Sequence, residues 1–414
     1  MSRLRAPLVR STFGLALSRA VAGSLVVLAS VVVARAAGAE SLGAFGLALT
    51  VGVYASVVAD AGISQYLLPE LGRAPRGRWP ALWADVVRFE LRTALPALVA
   101  YAFVVGVVVP DGARLALLAA GPWWLLLRFN GAARSVFTVA ERVGAEAVAT
   151  VAEATVALLV IALVLAGSDS PTLAVLALAA GAGLGLVIRL VGLRRLGVAG
   201  GKAERRPLDL AREALPFGAF TILTTLYLRI DVVLLALLAT QRELGLYQPA
   251  VRFATALIIL PDALASILLG RAARSPEGAD VRQRQEQVLS IGVPVGLTVV
   301  AICAVAGKPA LSALYGAEFG DAWLALTLLA ATVPVALVAA VNGNALTARG
   351  RQGERLRCLL AASVVAIAAG IPAIAVWGVN GAAAVSLVNE VVLAAGYALV
   401  LGRRSLVLPR LRLA

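Results

Sequence analysis

Apolar residues in this chain fall into long blocks, each close to the roughly 20 residues that a helix needs to cross a hydrocarbon core. About twelve such blocks can be read, near 13–34, 42–64, 93–110, 114–136, 145–166, 172–193, 214–239, 245–269, 288–306, 322–346, 357–377 and 380–401. The fourth and tenth are the least clean, since each carries Asn and Gly near its end. The first block follows Arg3, Arg5 and Arg10, and Ala34-Arg35-Ala36 resembles a small-residue cleavage site. Its apolar stretch is longer than a signal-peptide core, and further spans follow at once, so it reads as a retained membrane span.

Charge between the blocks sets an expected orientation. With the N-terminus cytoplasmic, the outward connections are 35–41, 111–113, 167–171, 240–244, 307–321 and 378–379, which hold only Arg35, Arg242 and Lys308, with Arg114 at a border. The inward connections hold Arg73, Arg76, Arg78, Arg88, Arg92, Arg134, Arg142, Arg194, Arg195, Lys202, Arg205, Arg206 and Arg212 in the first half alone. In the second half, Arg271, Arg274, Arg282, Arg284, Arg349, Arg351, Arg355 and Arg357 continue the pattern, and Arg403, Arg404, Arg410 and Arg412 close it. Lys and Arg concentrate on the cytoplasmic side of membrane proteins, so both termini are expected inside.

Composition agrees with a lipid environment. The chain is 61% hydrophobic and 14% charged, against about 45–50% and about 25% for a soluble domain. A net charge of +14 would raise the question of nucleic acid, but the basic residues sit in short loops between apolar blocks, and no nucleic-acid partner is expected. Histidine is absent, which removes His-based catalysis, His proton relays and most zinc sites. Cys303 and Cys358 have no metal or disulfide spacing and read as packing residues; no metal site is expected.

The longest polar stretch between blocks runs from Gly197 to Arg212 and divides the chain into an N-terminal lobe 1–196, a linker 197–212 and a C-terminal lobe 213–414. The halves echo each other. Leu42-Gly43-Ala44-Phe45 followed by Asp60 is matched, at the same interval, by Leu244-Gly245-Leu246-Tyr247 followed by Asp262. Asn130-Gly131-Ala132-Ala133 is matched by Asn342-Gly343-Asn344-Ala345. Each pair lies on spans of the same orientation, so the expected repeats are parallel about the membrane normal. The fold class is therefore an all-α polytopic membrane protein, with about twelve transmembrane helices in two six-helix lobes around a central cavity.

The stretch Ala34-Arg35-Ala36-Ala37-Gly38-Ala39-Glu40-Ser41-Leu42-Gly43-Ala44-Phe45-Gly46 resembles the "A-R-x-L-G-x-x-x-F/Y-G" signature that joins the first two spans of polysaccharide-biosynthesis flippases, with Ala37 where Leu is usual. Asp60-Ala61-Gly62-Ile63 is similar to their "D-x-G-hydrophobic" ending of the second span. The resemblance extends through span order and central linker. It implies a Wzx-like oligosaccharide flippase of the multidrug/oligosaccharidyl-lipid/polysaccharide (MOP) exporter superfamily. Such a protein moves undecaprenyl-diphosphate-linked oligosaccharide outward across the bacterial inner membrane, among membrane lipids and beside polysaccharide polymerase and glycosyltransferases. Related lipid II flippases usually carry two more C-terminal spans than the twelve read here, which keeps lipid II or another lipid-linked sugar as the alternative cargo.

Ionisable groups at membrane depth are costly and mark functional positions. They are Arg19, Arg128, Glu153, Arg229, Asp231, Arg252 and Glu390. Arg19, Arg252 and Arg229 are assigned to the diphosphate head group, because a guanidinium offers a planar fork of donors to phosphate. Intramembrane arginines on the first and eighth spans also resemble the pattern of lipid-diphosphate flippases. Asp231, Glu153 and Glu390 are assigned as cavity charges or carriers of a coupling cation, H+ or Na+; Asp60 and Asp262, near inward helix ends, as gating or loop residues. Gly181 to Gly185 supplies small-xxx-small spacing for helix contact, and Pro216, Pro261, Pro294, Pro334 and Pro372 are expected kink positions.

No G-x-x-x-x-G-K-[ST], H-E-x-x-H or G-x-S-x-G occurs, so no P-loop ATPase, zinc protease or hydrolase chemistry is expected and no catalytic residue is assigned. A membrane glycosyltransferase or polymerase would need acidic residues converging on a sizeable outward loop, and the first such loop offers only Glu40. A cation-coupled multidrug exporter on the same fold would favour an acidic, aromatic cavity; the intramembrane charges here lean towards arginine.

Overall fold

The computed structural model describes residues 5–109, 111–272, 278–402 and 407; the side chains of 5–13, 15, 16, 258–282 and 284 lie outside that description. Among the described residues every regular element is helical: α1 Arg5–Asp60, α2 Ile63–Arg73, α3 Trp79–Val108, α4 Asp111–Ala119, α5 Gly121–Val139, α6 Val143–Leu165, α7 Pro171–Arg195, α8 Pro207–Leu238, α9 Gln241–Ala272, α10 Gly278–Tyr315, α11 Trp323–Ala348 and α12 Gln352–Leu401. Eight stretches of them are long and apolar enough to cross a membrane. The protein is thus an all-helical, multi-pass membrane protein.

Two of those stretches are double length. Leu17–Asp60 has 44 residues and Gln352–Leu401 has 50, about twice what a bilayer accommodates. Each turns at a glycine in a conformation that side chains disfavour: Gly38 at φ 77° and Gly378 at φ 52°. A β-carbon on Gly396 would sit 3.3 Å from Cys358 Sγ, and one on Gly381 would sit 2.1 Å from the Ala373 carbonyl oxygen. In a straight helix, residues 358 and 396 would be about 57 Å apart, so α12 is a helical hairpin. In α1, Val26 and Ala29 line the same cavity as Phe45 and Leu49, which requires the same folding back. Residues 35–41 and 378–379, expected as loops, are therefore single-glycine reversals within otherwise continuous helix.

Other boundaries shift for similar reasons. The expected fourth span is interrupted at Ala120, yet Ala120 keeps right-handed angles and its carbonyl still accepts from Trp124 N at 3.0 Å. Much of the expected outward loop 307–321 is helical: α10 runs on to Tyr315, and a 3-10 turn fills Ala317–Ala322. Among the described residues the expected kink prolines are not where the backbone leaves helical angles; the side chain of Pro261 lies outside that description. Pro216, Pro294, Pro334 and Pro372 lie inside helices, whereas non-helical backbone occurs at Gly38, Arg229 and Gly378.

The chain divides into two compact units, Met1–Leu226 and Tyr227–Ala414. In the first, Gly181 and Gly185 let α7 approach α6 so closely that a β-carbon on Gly181 would fall 2.3 Å from the Glu153 carbonyl oxygen. At the turn between α1 and α2, Gly62 adopts φ 85° and a β-carbon there would meet Gly218 N at 2.1 Å. The segment 197–212 is folded onto this unit. Asp85 Oδ1 accepts from Glu204 N at 2.7 Å and Arg205 N at 2.8 Å, and Arg205 pairs with Glu213 at 2.8 Å. Tyr66 donates its hydroxyl to Glu213. Burial first, and then that carboxylate, push the Tyr66 phenol up to about 12.

In the second unit, Gly292 and Gly296 bring α10 against Leu337 and Pro334 of α11, and Leu289, Leu337, Val341 and Val407 form a buried cluster. The repeated motifs take matching positions in their own units. Phe45 and Tyr247 are buried, as are Leu42 and Leu244, and Asn130 and Asn342. Outward-facing Leu163, Val305 and Leu399 are exposed. An apolar face of that kind is unfavourable in water and costs nothing against acyl chains.

Candidate functional site

Three groups of polar side chains lie inside the apolar helices. The first surrounds Arg189 on α7, whose side chain is wholly buried. Its Nε donates to Glu146 Oε2 at 3.0 Å and its Nη2 to Glu146 Oε1 at 2.8 Å, a two-toothed grip on one carboxylate. Its Nη1 reaches Asn130 Oδ1 at 2.8 Å and Glu153 Oε2 at 3.0 Å. Glu146 and Glu153 are seven residues apart and share one face of α6, while Gly181 and Gly185 clear the space between the helices. Arg134 adds a second cation, 2.9 Å from Glu146. Glu153, expected as a cavity or coupling charge, pairs with Arg189 and also lines the cavity bounded by Val26, Ala29, Phe45 and Leu49.

The second group lies under the α1–α2 turn. Arg128 Nη2 pairs with Glu90 Oε2 at 2.6 Å, with both side chains fully buried, and donates to Thr93 Oγ1 at 2.7 Å. Asp60 is a charge neighbour of Arg128. Its carboxylate accepts from Ser64 N at 3.2 Å and from Ser64 Oγ at 2.6 Å, closing the first turn of α2 in the manner of a helix cap. The side chain of Asp262, its counterpart in the sequence, lies outside the described residues.

The third group lies in the second unit, around Arg229 and Arg252. At Arg229 the backbone of α8 departs from helical angles (φ −136°, ψ 17°). Its Nη2 donates to Thr255 Oγ1 at 2.8 Å, and its charge is felt by Arg252, one turn earlier on α9. Arg252 is partly buried, its Nε has no hydrogen-bond partner, and neither arginine forms a salt bridge among the described residues. The nearby acid, Asp231, is buried and accepts from the Tyr247 hydroxyl. Glu390 lies beside the Tyr227 hydroxyl. Breaks in helices at membrane depth survive where the freed backbone lines a cavity or binding site.

Arg19, the remaining head-group assignment, stands on an exposed face of α1 in the first unit. Sequence reasoning named Arg229 and Arg252 but missed Glu90, Glu146 and Arg189. Each of these falls at the edge of an apolar block, where charge looks like ordinary flanking polarity. A usable signal existed: Arg189 follows Gly181 and Gly185 at intervals of eight and four, placing it on the face that touches α6.

The comparisons with known proteins agree with this architecture. The chain is similar in structure to the lipid II flippase MurJ in an inward closed conformation (TM-score 0.76, 13% identity, 92% of this chain and 86% of that one). It is also similar to a multidrug resistance MATE family transporter of the MOP superfamily in an inward-facing conformation (TM-score 0.73, 14% identity, 91% and 93%). A third likeness is to the eukaryotic MATE transporter AtDTX14 (TM-score 0.63, 15% identity, 95% and 96%). At these identities the likeness shows the fold, which this chain shares with these transporters. Among curated protein sequences none matches the chain significantly. The family described as "Polysaccharide biosynthesis protein" matches residues 8–268, more than half of the sequence. The chain belongs to the polysaccharide biosynthesis protein family.

Proposed function

We propose that this protein is a flippase that carries undecaprenyl-diphosphate-linked oligosaccharide from the inner to the outer leaflet of the bacterial inner membrane by alternating access. The observation that carries the reading is that Arg229, at a helix break inside the second unit, and Arg252 form no salt bridge among the described residues. A diphosphate is compact and strongly negative, and it matches a pair of forks better than an organic cation does. Family membership supplies the link to cell-surface polysaccharide. Arg19, in the first unit, is a further head-group candidate in this reading, and both termini lie in the cytoplasm. A gradient of H+ or Na+, sensed through Asp231 and Glu390, drives the transport.

The test reconstitutes the full chain in liposomes and follows a fluorescent undecaprenyl-diphosphate oligosaccharide between leaflets. Arg229→Gln and Arg252→Gln should each slow movement roughly ten- to a hundredfold, the worth of one charge-assisted hydrogen bond. Unchanged transport in the double variant would remove the site assignment. Movement of lipid II or of an organic cation, with no movement of the oligosaccharide lipid, would replace the cargo.

A further inference from the structure

A groove of about 460 Å³ lies where α3 meets the segment that follows α7. Its lining combines Trp83, Arg88, Leu91 and Arg92 of α3 with Gly200 and Gly201. The geometry that holds it open is built in. Gly200 adopts φ 98°, and Gly201 packs so tightly that a β-carbon would fall 2.1 Å from the Pro80 carbonyl oxygen. Arg88 Nη2 donates to Ala203 O at 3.1 Å, which fixes its guanidinium at the groove wall. Neither Arg88 nor Arg92 forms a salt bridge among the described residues. The acids nearby are engaged elsewhere: Asp85 holds the backbone N–H groups of Glu204 and Arg205, and Glu204 faces Arg78 at 3.6 Å.

The groove opens onto an apolar ridge. Leu91, Leu95, Val99, Phe103 and Val107 recur at intervals of four along α3, and their exposures are 64, 68, 59, 70 and 68%. At about 1.5 Å per residue, the ridge is about 24 Å long. That exceeds one leaflet of a hydrocarbon core of about 30 Å. A cationic head-group seat that continues into a chain-length apolar track fits a molecule with a phosphate at one end and acyl chains at the other.

We propose that this groove is a binding site for an anionic phospholipid, with its phosphodiester between Arg88 and Arg92 and an acyl chain along the α3 ridge. Basic pockets beside membrane helices recognise anionic head groups by such charge complementarity. The site lies entirely in the first unit and is separate from Arg229 and Arg252, so it stands whether or not the cargo assigned above is right.

Native mass spectrometry of the detergent-purified full chain tests it, with phosphatidylglycerol, phosphatidylcholine of the same acyl chains, and inorganic phosphate as separate probes. The wild type should retain phosphatidylglycerol in preference to phosphatidylcholine. Arg88→Gln with Arg92→Gln should weaken that binding about thirtyfold, counting about one kilocalorie for each arginine near an anionic head group. Arg194→Gln with Arg195→Gln, a basic pair outside the groove, should leave it unchanged. Equal retention of both lipids, equal loss in the two double variants, or retention of inorganic phosphate without lipid selectivity would each overturn the proposal. Melting of every variant by intrinsic fluorescence separates loss of the site from loss of the fold.

Discussion

Replacing Arg189 by Leu should be among the most damaging single changes in the first unit. The variant loses hydrogen bonds to Glu146 at 3.0 and 2.8 Å, to Asn130 at 2.8 Å and to Glu153 at 3.0 Å. It leaves Glu146, whose side chain is 5% exposed, with the Thr150 hydroxyl at 3.0 Å and Arg134, itself 43% exposed, as its remaining described partners. Removing one partner of a buried ion pair costs about 3–5 kcal/mol, because the charge left behind is uncompensated. For a unit of this size that corresponds to a melting temperature lower by roughly 6–20 °C. Tryptophan fluorescence in nanodiscs is the suitable assay, since Trp79, Trp83, Trp123 and Trp124 lie in the first unit while Trp323 and Trp377 lie in the second. Arg189→Lys should fall between wild type and Arg189→Leu, because a lysine keeps the charge but not the fork. Adding Glu146→Gln and Glu153→Gln to Arg189→Leu should recover most of the loss. If Arg189→Leu melts with the wild type, or if the triple variant is no better than the single, the network is not the internal brace described here.

Two further outcomes follow from single positions. Gly62→Val should abolish monodisperse protein on size-exclusion chromatography, since φ 85° and a 2.1 Å approach to Gly218 N exclude a side chain; Gly218→Ala, whose β-carbon would meet Ala61 O at 2.6 Å, should act in the same direction. Tyr66, its phenol raised to about 12 by burial and by Glu213, should contribute stability that is complete below its ordinary value near 10 and is lost as pH rises through about 12; the phenolate absorbance difference between wild type and Tyr66→Phe should therefore titrate near 12, and a step near 10 would show that the Glu213 contact is not made.

The span pattern was readable because apolar length is a property of the chain itself, and lipid offers no alternative way to satisfy a backbone. Where the reading slipped, the reason was local. Residues 35–41 look like a polar connection from Arg35 and Glu40, but a single glycine at φ 77° is enough to reverse the helix. Prolines drew attention as hinges, yet α8 breaks at Arg229, a residue with no intrinsic preference for doing so. A break there reflects tertiary demand. Charge pairing was the least legible feature. Glu90 and Arg128 are far apart in sequence and meet only because α3 and α5 pack together, and no periodicity within either helix encodes that meeting.

The two units share motifs but use charge differently, and that difference bears on function more than any one residue does. In the first unit the buried cations are matched: Arg189 by Glu146 and Glu153, Arg128 by Glu90. Matched buried charge is a brace, stable as long as every partner stays in place. In the second unit the counterpart of Asn130 does not hold an arginine: Asn342 instead exchanges hydrogen bonds with the backbone of Val407, at 3.1 Å each way. Arg229 donates to the Thr255 hydroxyl, and neither it nor Arg252 forms a salt bridge among the described residues, the nearby Asp231 being engaged by Tyr247. Keeping two like charges together in an apolar setting is unfavourable unless an anion visits. An internal carboxylate would relieve the strain and would also compete with a diphosphate for the same donors. In the function proposed above, the counter-charge for Arg229 and Arg252 arrives with the cargo and leaves with it.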